Sequence, residues 1–197
     1  MARSTSPRLL IVPGLHDSPQ DHWQTWLEAS HRPSMRVRQH DWTTPDLERW
    51  SARLASTVDR AGPGGSWLVV AHSFGVLATV HALTQRPDLP VAALLLVAPA
   101  DPDKFGLAES LPQTPLAVPA TVVLSSNDPW LSLATGQRWA QCWGAHRLCL
   151  GDAGHINAAA GFRTLPFARR WLLAQQQRLA RERRPLQEAW APLSFAR

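Results

Sequence analysis

A serine at the centre of the segment AHSFG is placed where it could act as a nucleophile. Ser73 follows the apolar run Trp67 to Ala71 and precedes the helical pattern Phe74 to Gln85. A serine on so sharp a turn projects its hydroxyl group above the sheet, and the N–H of Phe74 could donate to an oxyanion. Ala71 replaces the first glycine of the usual G-x-S-x-G pattern. A serine N-cap is the alternative, but the strand directly before Ser73 favours the nucleophile.

A serine hydroxyl needs a base that accepts its proton and a carboxylate that orients the base. His155 in GDAGHIN and Asp128 in SSNDPW each follow a predicted strand, and together they give the chain order Ser, Asp, His. Asp152, three residues before His155, is the rival acid, and chain order and loop placement favour Asp128. The other histidines are less well placed. His72, beside the serine, is expected to point away across the turn, and His81 lies within the following helix.

An oxyanion would need a second backbone donor, which the loop after the first strand could supply. In IVPGLHDS, Gly14 permits an unusual turn and the N–H of Leu15 is the candidate donor, with an ordinary glycine turn an equally open alternative. His16, in the same loop, and Trp130, just after the acid, are candidate pocket residues.

These residues must be positioned by a sheet and its helices. Short apolar runs predict strands at Arg8 to Val12, Met35 to His40, Trp67 to Ala71, Val91 to Ala98, Ala120 to Ser125 and His146 to Leu150. Helical segments lie between them at Pro19 to Ser30, Pro45 to Arg60, Phe74 to Gln85, Leu131 to Gly144 and Leu165 to Arg183. The alternation predicts an α/β fold, a doubly wound and mostly parallel sheet of about six strands flanked by helices. Ligands bind such sheets beyond the carboxyl ends of the strands, where the candidate residues lie.

The chain length predicts one α/β domain over residues 1–184 and a C-terminal extension over 185–197, which could pack through Trp190 and Phe195. The proline-rich segment Pro99 to Pro119 is a candidate small lid. Cys142 and Cys149 are expected to be free, buried thiols.

The net charge of +5 comes from the C-terminal region, because seven arginines and one glutamate between Arg163 and Arg184 contribute +6. These arginines are not interleaved with aromatic residues and are not accompanied by a zinc-binding pattern. We therefore interpret this basic region as a solvated helix face rather than a nucleic-acid site. The chain has no run of 18 apolar residues and no secretory signal pattern, which predicts a cytoplasmic protein without a membrane segment.

Four segments together resemble the small serine hydrolases of the YdeN and retinoblastoma-binding-protein-nine type, within the α/β-hydrolase superfamily. They are VPGLHDSPQDHWQTWL, VVAHSFG, SSNDPWLS and GDAGHIN, and the resemblance covers most of the chain. It implies a compact α/β-hydrolase fold with a minimal cap, a triad of Ser73, Asp128 and His155, and no cofactor or metal. The chain departs from the family pattern in AAAGFRTLP, where a tryptophan is expected before the proline, and this bears on the shape of the pocket.

We therefore expect a serine hydrolase that cleaves small ester, thioester or amide substrates through an acyl-enzyme on Ser73. Its partner would be a small molecule. Two alternatives share these residues: an α/β-hydrolase-fold interaction protein with little turnover, which would use the basic C-terminal region, and an acyltransferase with an acceptor other than water.

Overall fold

A parallel sheet of six strands runs through the part of the chain that the structure, a computed structural model, describes, which is residues 6–188. The strands are β1 (Arg8–Val12), β2 (Ser34–Arg36), β3 (Trp67–Ser73), β4 (Val91–Pro99), β5 (Ala120–Leu124) and β6 (His146–Cys149). Their order across the sheet is β2-β1-β3-β4-β5-β6, and each neighbouring pair is parallel. The predicted fold class is confirmed.

Helices cover both faces of this sheet. They are α1 (Trp23–Ser30), α2 (Leu47–Arg60), α3 (Phe74–Gln85), α4 (Leu133–Cys142) and α5 (Pro166–Glu188). Successive residues of β3 alternate between two buried apolar clusters. Val69 and Ala71 join the cluster containing residues of α2, α3 and α4, whereas Leu68 and Val70 join the one containing residues of α1 and α5. Because both faces of the sheet are buried at its centre, β1 and β4 are apolar along almost their whole length, as the sequence indicated, whereas the edge strands β2 and β6 are more polar and more exposed.

The predicted boundaries differ most from the structure at three elements. Helix α1 begins at Trp23 rather than Pro19, because the His22 side chain caps it by accepting a hydrogen bond from the Gln24 N–H. Strand β2 is limited to three residues. Helix α5 continues to Glu188, past the predicted end at Arg183. Residues 189–197, including Trp190 and Phe195, lie outside the described residues, and the domain division at residue 184 stays a prediction.

The two cysteines are free, as predicted, but the expectation that they are buried is wrong. Cys142 is half-buried and Cys149 is exposed. Cys149 lies on β6, the last strand of the sheet, whose side chains are mostly open to solvent. Among residues 6–188, no helix has both the length and the apolar character needed to cross a membrane.

Candidate active site

Ser73 lies on a sharp, strained turn between β3 and α3. Its backbone has φ 54° and ψ −127°, a region that residues with a side chain rarely adopt and that costs about 1–3 kcal/mol. The start of α3 packs very closely against the backbone of Val12 and Pro13, at the end of β1. A Cβ atom at Gly75 would lie 2.6 Å from the carbonyl oxygen of Val12 and would also clash with Pro13. Gly75 therefore allows β1, the loop after it and α3 to pack together.

A continuous line of hydrogen bonds joins three of the predicted site residues, the candidate triad. His155 Nε2 lies 2.9 Å from Ser73 Oγ, and His155 Nδ1 lies 2.9 and 3.0 Å from the two carboxylate oxygens of Asp128. Since the carboxylate can only accept, Nδ1 carries the proton, which leaves the Nε2 lone pair of the neutral ring to accept from the serine hydroxyl. The Asp128 side chain is 3% exposed.

The rival acid lies elsewhere. Asp152 accepts a hydrogen bond from Ser126 Oγ, in an exposed contact between the loops after β5 and β6. Asp128 instead accepts the N–H of Trp130, which fixes its carboxylate beneath the imidazole. The geometry therefore pairs His155 with Asp128 and not with Asp152.

The loops that carry Asp128 and His155 are joined to each other by side chains of the SSND segment. Asn127 Oδ1 accepts the N–H of Gly154 at 2.7 Å, and Ser125 Oγ accepts the N–H of Ala153 at 3.0 Å. Sequence analysis did not assign these roles, although both residues stand in one of the four segments that carry the family resemblance. They set the distance between the candidate acid and the candidate base.

Two further buried side chains hold the backbone of the histidine loop. His72 Nε2 donates to the carbonyl of His155 at 3.0 Å, and Trp23 Nε1 donates to the carbonyl of Ile156 at 2.8 Å. Burial, with a smaller contribution from His155, holds the pKa of His72 well below its usual range, so its ring is neutral. The expectation that His72 points away from the site is wrong, because its ring contacts the backbone of the candidate base.

The two predicted oxyanion donors belong to residues near Ser73, since Phe74 follows it in the chain and Leu15 lines the same pockets. Neither Leu15 nor Phe74 has a hydrogen-bond partner for its N–H within the described part of the chain. Gly14 brings the Leu15 loop close, since a Cβ at Gly14 would lie 2.6 Å from Ser73 Cβ. N–H groups without partners near the nucleophile are what an oxyanion site requires, so Leu15 and Phe74 stay the candidate donors.

Two pockets meet at Ser73 and His155. The first, which we call the aromatic pocket, has a volume of about 240 Å³ and is lined by Leu15, Lys104, Phe105 and Trp130. The second, the imidazole pocket, has a volume of about 290 Å³ and is lined by His16, His22, His72, Asn157, Ala158 and Ala159. His16 and Asn157 line both pockets.

The candidate lid forms one wall of the aromatic pocket. Lys104, in a short 3-10 helix (Pro102–Phe105) of the loop between β4 and β5, donates to the carbonyls of Pro129 and Trp130 at 3.2 and 2.9 Å. These bonds hold the Trp130 ring at the pocket mouth, 55% exposed and with its centroid 6.3 Å from that of His155. Both predicted pocket residues, His16 and Trp130, thus lie at the site.

A second serine also contacts a histidine, between α2 and α3. Ser51 Oγ lies 3.0 Å from His81 Nδ1, but it donates to the carbonyl of Leu47 at 2.7 Å, and both side chains are buried. This hydroxyl is therefore not available for attack. Over residues 6–188 no cluster of three or more His, Cys, Asp or Glu side chains could hold a metal ion.

The chain is similar to known proteins, described as hydrolases, in sequence and in structure. A family model described as serine hydrolase matches residues 9–174. The structure of a protein described as a YdeN-like hydrolase from Pectobacterium atrosepticum is similar with a TM-score of 0.82 and 34% identity, over 88% of this chain and 92% of that one. The ydeN gene product of B. subtilis is similar with a TM-score of 0.71 and 21% identity, over 86% of this chain and 98% of that one. Among curated proteins the search finds no match.

Proposed function

Because the chain belongs to the serine hydrolase family, we propose that it cleaves small ester, thioester or amide substrates through an acyl-enzyme formed on Ser73. The observation that carries this proposal is the unbroken line of hydrogen bonds from Ser73 through His155 to Asp128, at a point where two pockets meet. A nucleophile, a base and an orienting acid in this arrangement are the parts that acyl transfer to serine requires.

In the first step, His155 Nε2 accepts the hydroxyl proton of Ser73 while Oγ attacks the substrate carbonyl carbon. The imidazolium that forms is stabilised by the Asp128 carboxylate, which stays ionised. Negative charge develops on the carbonyl oxygen, where the N–H groups of Leu15 and Phe74 can donate to it. One such donor typically contributes about 3 kcal/mol to the stability of the transition state.

Collapse of the tetrahedral intermediate requires a proton for the leaving group. His155 returns its proton to the departing oxygen, sulfur or nitrogen atom, and an ester remains on Ser73. Water then takes the place of the leaving group. His155 accepts a proton from that water as it attacks the acyl carbon, and it protonates Ser73 Oγ when the acid is released.

The proposal is tested with 4-nitrophenyl acetate. Wild type should release nitrophenolate continuously, and rapid quenching in acid followed by intact mass measurement should detect one acetyl group on Ser73. Ser73→Ala should lose both the turnover and the adduct. Turnover equal to that of wild type in folded Ser73→Ala would refute the assignment of the nucleophile.

A further inference from the structure

The imidazole pocket contains a buried donor that the proposed mechanism does not use. The His22 side chain is 3% exposed, and its Nδ1 accepts the N–H of Gln24 at 3.1 Å. The proton of the neutral ring must therefore be on Nε2. Within residues 6–188 this N–H has no hydrogen-bond partner, and it is not among the polar atoms sealed from solvent, so it opens into the pocket that the ring lines. A buried donor left in this way is ready for an acceptor on a ligand.

The two buried imidazoles around this donor, His22 and His72, are uncharged at neutral pH. Burial, with a smaller contribution from the Arg36 guanidinium, lowers the pKa of His22 to about 4. The neighbouring His72 is also neutral. The Asp17 carboxylate also lines the pocket, but it is paired with the Arg36 guanidinium at 3.0 Å. A neutral N–H among neutral rings suits an uncharged oxygen acceptor better than an ion, which would lose its hydration without gaining a counter-charge.

The position of the pocket indicates which half of a substrate it receives. Ala158 and Ala159, which continue the His155 loop, line this pocket and not the aromatic pocket, and the ring of His72 packs against that of His155 with centroids 4.9 Å apart. The leaving group has to lie within hydrogen-bond reach of His155 Nε2 in order to receive its proton. Because the continuation of the His155 loop and the ring beside His155 both line the imidazole pocket, we assign that pocket to the departing atom and the aromatic pocket to the acyl half.

We propose that the imidazole pocket is the leaving-group site, and that His22 donates a hydrogen bond from Nε2 to an uncharged oxygen in the leaving group. The inference rests on the proposed function and narrows its substrate class. The preferred substrates are esters or amides whose alcohol or amine half carries an ether, hydroxyl or carbonyl oxygen.

His22→Asn isolates this donor. Asparagine is a strongly preferred N-cap, so its side-chain oxygen can replace Nδ1 as the acceptor for the first turn of α1, while the Nε2–H is lost. His31→Asn, at the opposite end of the same helix and away from the pocket, is the matched control. Equal melting temperatures for His22→Asn and wild type would show that the cap is preserved.

The readout is a ratio of kcat/KM values for two esters of nearly equal shape, 2-methoxyethyl butanoate and butyl butanoate. They differ in one ether oxygen in the leaving group. We expect His22→Asn to lower the ratio about fivefold relative to wild type, the effect of one neutral hydrogen bond. His31→Asn should leave the ratio unchanged. Because each ratio is compared between enzymes, the different intrinsic reactivity of the two esters cancels.

A second pair, butyl 3-methoxypropanoate and butyl pentanoate, places the ether oxygen in the acyl half, and its ratio should be the same in His22→Asn and wild type. The inference would be overturned if active His22→Asn had the wild-type ratio for the first pair, in which the ether oxygen is in the leaving group. It would also be overturned if His22→Asn lowered only the ratio for the second pair, in which the ether oxygen is in the acyl half. Absence of hydrolysis of all four esters by wild type, together with no acyl adduct on Ser73, would overturn the proposed function and this site with it.

Discussion

The close approach of β1 to the start of α3 predicts that Gly75→Ala disables the enzyme more than it destabilises it. The added methyl group would lie 2.6 Å from the Val12 carbonyl oxygen and would clash with the Pro13 backbone. The contacting atoms are backbone, so the methyl group fits only if the chain through Val12 and Pro13 is displaced, together with the loop that follows it. That loop carries the proposed oxyanion donor.

The cost in stability follows from overpacking in a rigid region, about 2 kcal/mol. For a chain of this size the melting temperature should fall by about 4–8 °C. The cost in rate should be larger, because displacing one oxyanion donor typically lowers kcat by 10²-fold or more. We expect a folded Gly75→Ala protein with kcat reduced about 10²-fold.

The matched control is Gly62→Ala, at the end of α2. Gly62 has φ 67° and open space around its Cα, so an alanine there is strained by about 1 kcal/mol without touching the site. The two proteins are compared by thermal unfolding and by steady-state hydrolysis of 4-nitrophenyl acetate. Wild-type kcat in folded Gly75→Ala, or equal rate losses in both variants, would refute the reasoning.

Three other predictions follow from the site. Asp128→Asn should lower kcat by about 10⁴-fold, the effect known for the serine protease triad, whereas Asp152→Asn should change kcat little. Equal losses of kcat in the two variants, measured by steady-state assays, would contradict the pairing of Asp128 with His155. His72→Phe removes the donor to the His155 carbonyl and should lower kcat about tenfold with 4-nitrophenyl acetate, and an unchanged kcat would argue against a positioning role. His22, with its pKa near 4, stays neutral when folded but gains a proton when unfolded below pH 6.5, and buried His72 behaves in the same way. Between pH 7 and pH 5, the free energy of unfolding measured with urea should therefore fall by about 2 kcal/mol more in wild type than in His22→Asn; equal falls in the two proteins would be inconsistent with the burial of His22.

Local chemistry explains why the sheet and the serine turn could be predicted. Residues 67–71 of the strand before Ser73 are buried and all apolar, and Gly14 and Gly75 allow a close backbone approach to the serine turn that a larger side chain would prevent. Both features depend on residues that are close together in the sequence, so the sequence pattern predicts them. The same holds for helix α3, whose observed bounds match the predicted ones.

The start of α1 could not be predicted in the same way. Pro19 favoured an early start, because proline suits the first turn of a helix. The residues before Trp23 instead form the loop that follows β1, in which His16 and Asp17 have positive φ angles. The helix is capped by His22, an imidazole rather than one of the usual capping residues, so the pattern gave no signal.

The role of His72 depended on a tertiary feature. Alternation along β3 places His72 on the sheet face that also holds Leu68 and Val70. The loop after β6 returns across that same face, where Ile156 packs in the α1 and α5 cluster. Nothing in the sequence tells over which face a loop returns, so the contact between His72 and the candidate base was missed.

The most direct test of the account is labelling of the purified protein with a fluorophosphonate probe, read by intact mass. The account predicts one adduct on wild type, loss of that adduct in Ser73→Ala and in His155→Ala, and full labelling of Ser51→Ala, which removes the buried serine beside His81. Labelling of Ser73→Ala at the wild-type rate, or no labelling of well-folded wild type, would contradict the claim that His155 activates Ser73.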